Sequence, residues 1–301
     1  MNHIAAIPLS ILMFSLTSTA HCIEPTLIFQ FAVSRLNDGT SLRDPLAVSV
    51  SEESGEVLVS DTGNDRILIF NAEGVLIKAV GGQAAIRSPI GVAAANGDFY
   101  VTEMSSPRIK RLDLAGSLLP PILLQPEPPF PLPGRISAGT DDVIYVADRA
   151  RPRIFVIVAS EQSREIQQAP VEEGLEWKVQ DVIADRDGNI YVLSSQGVAV
   201  TVLDREGKLL RSFGLHGPRE HEFSFPTGMS IGPDGNLWIV DSFKQELKVF
   251  SLSGEYLSRW GRTGSGEGEL FYPVDVAFGK RTLYVLEKGA SRLQAFRMSE
   301  E

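Results

Sequence analysis

The chain has 301 residues, of which 43% are hydrophobic and 22% are charged. This composition is that of a folded globular protein and excludes a disordered chain. The formal net charge of −10 and the isoelectric point near 5.0 argue against a nucleic-acid-binding surface, because such surfaces are usually basic.

The first twenty residues differ from the rest of the chain. An apolar run from Ile4 to Leu16 is followed by the small residues Ser-Thr-Ala at 18–20, which resemble a signal-peptidase site. We therefore predict a signal peptide over residues 1–20 and an exported protein, periplasmic or extracellular. A buried N-terminal helix is the alternative, because no Lys or Arg precedes the apolar run.

Residues 21–25 form a short segment before the first predicted strand, and this segment contains the only cysteine, Cys22. A single cysteine excludes an intramolecular disulfide. Its position just after an apolar run makes Cys22 a candidate for lipidation, although His21 is not the small residue that usually precedes a lipidated cysteine. Lipidation would give the chain an N-terminal membrane anchor.

From residue 26 onward the chain repeats one pattern six times. Each copy contains two apolar runs around a polar turn, as in VLVSDTGNDRILIF (57–70) and YVADRARPRIFVI (145–157). Four β runs per copy, separated by Gly, Pro, Asn and Asp, predict one antiparallel four-stranded blade per copy. Six such blades predict an all-β, six-bladed β-propeller. The residue that closes the first apolar run recurs at intervals of 42 to 47 residues, as Asp61, Glu103, Asp148, Ser194, Asp241 and Glu287.

The two ends of the repeat complete each other. The sixth copy stops after three strands, with LQAFRM (293–298), whereas TLIFQFAV (26–33) is a spare strand ahead of the first copy. Pairing this N-terminal strand into the last blade would close the ring and remove an unpaired sheet edge. We therefore predict a single propeller domain over residues 26–301.

One segment departs from the repeat. PPILLQPEPPFPLPG (120–134) concentrates prolines between the second and third copies. Since proline removes donors from a sheet ladder, the segment is either an edge strand that passes into an extended connector or a ligand-like sequence.

The copies resemble NHL repeats, whose pattern runs from Pro-x-Gly-Val-Ala-Val through a DG turn and Tyr-Val-x-Asp to a polar turn with Arg-Ile. Copies five and six, with FGLHG…HEFSFPTG and WGRTGSGEGELFYPVD, fit best, while the third copy is interrupted and the fourth has Ser194 in place of the acidic residue. The resemblance covers residues 26–298. It implies the propeller fold and leaves the function open, because propellers carry many unrelated activities.

The acidic residues at the strand ends have two interpretations. In the first, an acidic residue such as Asp61 binds its own turn and pairs with Arg66, so that a feature present in almost every blade serves to build the blade. In the second, carboxylates gather at one mouth of the central channel, where hard cations such as Ca²⁺ would find oxygen ligands. This candidate channel-mouth site consists of Asp181, Asp275, Asp241 and Glu287, with Arg135 opposite them.

The leading hypothesis is a monomeric, non-catalytic scaffold without a cofactor, which binds a protein or a surface polymer through its loops. The predicted contact residues are Arg219, Glu220, Arg262 and Glu267; the neighbouring Phe225 and Tyr272 either join the contact or pack between blades.

The alternative hypothesis is a Ca²⁺-dependent, lactonase-like hydrolase, since some propellers that resemble this chain have that activity. RNA binding, known for some NHL propellers, is opposed by the acidity of the chain and by the export signal, so we expect no nucleic-acid partner.

Overall fold

The computed structural model describes residues 26–82, 85–124, 131–158, 162–167 and 178–299. The predicted signal peptide and the segment with Cys22 lie outside these ranges. The described residues form 24 β-strands and one short 3-10 helix, Thr62–Asn64. None of the helical structure in these ranges is long and apolar enough to cross a bilayer.

The strands form six antiparallel sheets of four strands each, which are the six blades of a β-propeller. Blade 1 contains β2 (Ala47–Val50), β3 (Val57–Asp61), β4 (Arg66–Phe70) and β5 (Leu76–Gly81). Blade 2 contains β6 (Pro89–Ala95), β7 (Asp98–Glu103), β8 (Arg108–Asp113) and β9 (Leu118–Leu123). Blade 3 contains β10 (Pro133–Ala138), β11 (Ile144–Asp148), β12 (Arg153–Val158) and β13 (Gln162–Gln167).

The remaining blades follow the same order from the channel outward. Blade 4 contains β14 (Val179–Ala184), β15 (Ile190–Ser194), β16 (Val200–Leu203) and β17 (Leu209–Phe213). Blade 5 contains β18 (Pro226–Ile231), β19 (Asn236–Asp241), β20 (Glu246–Ser251) and β21 (Tyr256–Trp260). Blade 6 contains β22 (Pro273–Gly279), β23 (Thr282–Glu287), β24 (Arg292–Met298) and, as its outermost strand, β1 (Leu27–Val33).

The predicted closure of the ring is confirmed. Strand β1 pairs antiparallel with β24, so that Leu27 lies opposite Met298 and Val33 lies opposite Leu293. Strand β1 therefore completes blade 6, whose other three strands are the last three of the propeller. One sheet thus joins the two ends of the ring.

The antiparallel order gives the ring two different faces. One face, which we call the loop face, carries the turns between the second and third strands of each blade and the connections from one blade to the next. The other, the turn face, carries the turns between the first and second strands and between the third and fourth strands. Each blade's first strand begins at the loop face, where the candidate residues of the channel mouth lie.

The core consists of six apolar clusters, and each lies between two neighbouring blades. Because the second strands are covered on both faces, all five residues of β3 and of β11 are buried. The outermost strands have one free face, and β1 accordingly alternates between half-buried and exposed positions. The aromatic residue that begins the repeated Tyr-Val motif is buried in these clusters, as Tyr191 and Trp238 show.

The proline-rich segment begins inside a strand. Pro120 and Pro121 belong to β9, the outermost strand of blade 2, where one edge has no neighbouring strand to receive N–H groups. This agrees with the edge-strand interpretation for the start of the segment. Residues 125–130 lie outside the described ranges.

Candidate functional site

A β-bulge shapes the start of the first strand in five of the six blades. In blade 5, Pro226 pairs with Asp241 but Gly228 pairs with Val240, so two steps on β18 oppose one step on β19. The same shift occurs in blade 6 between Pro273 and Asp275. Since a bulge turns the side chain that follows it, the residue two positions after the proline is directed toward the channel mouth.

Three of the predicted channel-mouth residues meet there. The Arg135 guanidinium of blade 3 reaches across the ring to blade 6, where Nη1 forms an ion pair with Asp275 Oδ2 and Nη2 donates to the carbonyl of Val274 at 2.9 Å. The second hydrogen bond to Asp275 Oδ2 comes from the backbone N–H of Val48 in blade 1, at 2.8 Å. Asp275 thus joins its own blade to a neighbouring blade and to the blade opposite.

Asp181 makes a similar junction between blades 4 and 5. Its Oδ2 accepts the backbone N–H of Met229 at 2.9 Å, and its Oδ1 accepts the N–H of Val182 at 2.9 Å. Both Asp181 and Asp275 are about 95% buried. Gly228 lies against the Asp275 carboxylate, next to Met229 whose N–H binds Asp181, and a Cβ atom at Gly228 would overlap Asp275 Oδ1. A small residue is therefore required where blade 5 passes the carboxylate of blade 6.

Burial controls the protonation of this site. Burial and the neighbouring Asp275 carboxylate raise the pKa of Asp181 to about 7 from its ordinary 3.8, while Arg135 and the two N–H donors act in the opposite direction. Burial also raises the pKa of Asp275, and the Arg135 guanidinium is the largest opposing influence. Two buried carboxyl groups thus share one guanidinium.

Asp241 and Glu287 are placed elsewhere. Each ends the second strand of its blade, one strand farther from the channel axis. Asp241 accepts the N–H groups of Ser224 and Phe225 at 2.8 and 3.0 Å. Glu287 accepts the N–H of Phe271 at 2.5 Å and forms an ion pair with Arg292. Both carboxylates therefore bind the connection that enters their own blade, and the structure does not bring them to Arg135 and Asp181.

The same arrangement recurs in the other blades. Asp61 accepts the N–H of Arg43 at 2.7 Å and pairs with Arg66 at 2.6 Å, which is the bonding that the first interpretation of the repeat predicts. In blade 4, where the acidic residue is replaced, the Ser194 hydroxyl accepts the N–H of Lys178 at 2.9 Å. In blade 4 a single hydroxyl thus replaces the carboxylate as the acceptor for the N–H of the connection that enters the blade.

Within the described ranges, no group of three or more His, Cys, Asp or Glu side chains is arranged to hold a metal ion. The carboxylates nearest to such an arrangement, Asp181 and Asp275, direct their oxygens to backbone N–H groups and to Arg135.

The predicted contact residues lie on the loop face, in the connections before blades 5 and 6. The side chains of Arg219 and Arg262 are 73% and 79% exposed, and Glu267 is exposed as well. Arg262 pairs with Glu269 at 2.7 Å, whereas Glu220 turns to Arg259 at 3.3 Å and to the Tyr256 hydroxyl at 3.1 Å.

The most exposed aromatic side chains of this face are not among the predicted contact residues. Phe243, in the turn between β19 and β20, is 56% exposed and stacks on Phe225 with ring centroids 4.7 Å apart. The Tyr272 ring is 6.0 Å from Phe243, and Phe271 beside it is 46% exposed. We call Phe225, Phe243, Phe271 and Tyr272 the aromatic patch. Phe243 could have been found by comparing the six turns, because it stands at a turn that is polar in most of the other blades.

The fold and the channel mouth define the chain as a six-bladed β-propeller with a ring closed by its N-terminal strand. Its structure is similar to virginiamycin B lyase of Staphylococcus aureus, solved as a catalytically inactive variant with quinupristin (17% identity, covering 85% of this chain and 80% of that chain, TM-score 0.63). It is also similar to a gluconolactonase of Xanthomonas campestris (17% identity, 92% and 95% covered, TM-score 0.63).

A third similar structure is a Bacteroides thetaiotaomicron protein of unknown function (14% identity, 91% and 73% covered, TM-score 0.70). At these identities the likeness concerns the fold alone. No protein-family model matches the chain, and no curated protein matches its sequence.

Proposed function

We propose that this chain is an exported, NHL-like propeller that catalyses no reaction and binds a protein through its loop face. The observation that carries the proposal is the aromatic patch, in which Phe243 and Phe271 expose about half of their surface to solvent. Aromatic side chains, Met and Arg are enriched in the parts of protein surfaces that bind other proteins, and a few such anchors supply most of the binding energy.

The side chains of the patch are packed against neighbouring residues, which favours binding. Phe243 is supported from below by Phe225, and Phe271 lies over Gly289, where an added Cβ atom would overlap the Phe271 ring. The two turns that carry these contacts belong to neighbouring blades 5 and 6. An anchor that is already fixed in the unbound protein loses little side-chain entropy when a partner binds.

The charge of the loop face indicates the chemistry of the partner. In the described turns and connections of this face, nine exposed side chains are Lys or Arg and five are Asp or Glu, although the whole chain carries −10. The turn face has the reverse balance, with five basic and nine acidic exposed side chains in its described turns. The loop face therefore suits an acidic protein segment with apolar side chains.

The contacts of the channel mouth argue against the Ca²⁺-dependent hydrolase. Such a site needs several oxygens directed at one ion. Here Asp275 is neutralised by Arg135, and each oxygen of Asp181 accepts a backbone N–H. The proposal of export rests on the N-terminal sequence, with its apolar run and its Ser-Thr-Ala segment at 18–20.

The proposal is tested by binding and by activity. Envelope proteins of the producing cells are passed over immobilised wild-type chain, over Phe243→Ala/Phe271→Ala, and over the control Leu209→Ala/Leu210→Ala, whose leucines are similarly exposed at the turn-face end of the outermost strand of blade 4. We expect one acidic protein to be retained by wild type and control, and calorimetry with that purified protein to show at least roughly tenfold weaker binding by the patch variant.

Equal retention by all three chains would contradict the proposal. So would Ca²⁺-dependent lactone hydrolysis by the wild type that is lost in Asp181→Asn/Asp275→Asn, since that result would establish the hydrolase.

A further inference from the structure

A second set of apolar side chains is exposed far from the aromatic patch, on the outer wall of the ring next to the turn face. Its members are between 52% and 60% exposed. We call it the lower rim patch, and it consists of Ile28, Val75, Ile77, Leu114 and Leu118.

These side chains come from three consecutive blades that are in contact. Lys78 of blade 1 donates a hydrogen bond to the carbonyl of Ala115, in the turn that leads to Leu118 of blade 2. On the other side, Phe31 of β1 packs on Gly74 of blade 1, where a Cβ atom would overlap the ring. The five side chains therefore lie on adjacent strands and turns of blades 6, 1 and 2, whereas exposed apolar residues that are scattered singly need no explanation.

The N-terminal segment joins the propeller beside this patch. Strand β1 begins at Leu27 on the turn face, where the carbonyl of Thr26 accepts the N–H of Ser299 at 3.0 Å. Since an extended chain spans about 3.5 Å per residue, a lipid on Cys22 would lie within ~14 Å of Thr26. Such a lipid would therefore hold the lower rim patch close to the bilayer.

The charge of the turn face excludes electrostatic attraction as the main source of contact. Nine exposed acidic side chains against five basic ones, in its described turns, repel a surface of anionic lipids. Contact through the lower rim patch would bury apolar surface instead, and the free energy of membrane binding would increase with the area buried.

We propose that the lower rim patch rests on a lipid bilayer, so that blades 6, 1 and 2 face the membrane while the N-terminal segment anchors the chain. One lipid chain alone gives marginal, reversible attachment, and the apolar rim supplies the second contact that stable attachment requires. The membrane contact does not depend on the proposed binding of a protein, because the aromatic patch lies on the opposite face and stays exposed to solvent.

The test is hydrogen exchange on the full chain, with and without phosphatidylcholine vesicles. We expect roughly tenfold slower exchange of the amides in 76–81 and 114–119 when vesicles are present, and unchanged exchange in the loop-face connection 261–272. Ile77→Asp/Leu118→Asp should abolish this protection. The matched control Leu209→Asp/Leu210→Asp, on the outer strand of the opposite blade 4, should retain it.

Three results would overturn the proposal. The first is equal exchange of the rim segments with and without vesicles. This result would also be obtained if the chain's own N-terminal segment already covered the lower rim patch. The second is protection of the loop face instead of the rim. The third is protection that appears only when the vesicles contain anionic lipid, since the contact would then be electrostatic.

Discussion

The acidic residues at the ends of the second strands bind groups of their own blade, whereas those at the channel mouth bind groups of another blade. Asp241 and Glu287 bind the connection that enters their own blade, as does Asp61 in blade 1. Asp181 and Asp275 bind backbone groups of the following blade instead. The repeated residue thus builds the blade, whereas the residue that occurs in only some blades joins blades to each other.

The largest effect is expected at Glu287, where the repeated residue binds two buried side chains as well as a backbone N–H. Glu287→Ala leaves Arg292, Gln294 and the N–H of Phe271 without the carboxylate that binds all three. Removing one partner of a buried ion pair costs about 3–5 kcal/mol. Urea denaturation should show this loss in the free energy of unfolding, while the exposed Glu267→Ala should lie within about 0.5 kcal/mol of wild type. A loss below about 1 kcal/mol for Glu287→Ala would show that the carboxylate does not fasten the blade.

A smaller loss is expected for the contact across the ring. Arg135→Met leaves Asp275 buried without its counter-ion and should cost about 3 kcal/mol in urea denaturation. The double variant Arg135→Met/Asp275→Asn removes the unpaired charge as well and should recover part of that loss. If the single variant is as stable as wild type, the ion pair does not link blades 3 and 6.

At a fixed pH, Asp181→Asn should change the free energy of unfolding least of the three variants. It should also change how that free energy depends on pH. The folded-state pKa of about 7 lies above the unfolded value, so the folded chain keeps a proton that the unfolded chain loses between about pH 4 and pH 7. Wild-type stability from this group therefore falls as the pH rises through that window, and asparagine does not titrate.

Near pH 4.5 the asparagine variant should be about 1 kcal/mol less stable than wild type, because the amide NH2 replaces one of the two carboxyl oxygens that accept a backbone N–H. The difference should shrink or reverse by pH 8, as measured by urea denaturation at both pH values. A constant difference between the two proteins at all pH values would contradict the raised pKa of Asp181.

The architecture was predictable because it depends on periodicity. The six copies, the four strands per blade and the pairing of residues 26–33 into the last blade follow from apolar runs that alternate with turn residues, and the structure has each of them. No single side chain decides these features, so local irregularities do not change them.

The site was less predictable because it depends on local direction. Arg135, Asp181 and Asp275 were correctly predicted to lie at the channel mouth, but the bulges that turn them into the channel have no clear sequence signal. The same uncertainty allowed Asp241 and Glu287 to be assigned to the channel, although they bind their own connections. Phe243 was not predicted, because a single aromatic residue in one otherwise polar turn does not belong to the repeated pattern.

The pairing of β1 with β24 has a consequence for synthesis of the chain. Strand β1 is among the first parts of the propeller to leave the ribosome, and its partner β24 is among the last. The nascent chain therefore cannot close its sixth blade until nearly all of the propeller has been made, and the apolar junction between blades 6 and 1 stays open until then. A shortened product that lacks either strand would expose that junction and an unpaired sheet edge, which makes it a substrate for aggregation or proteolysis.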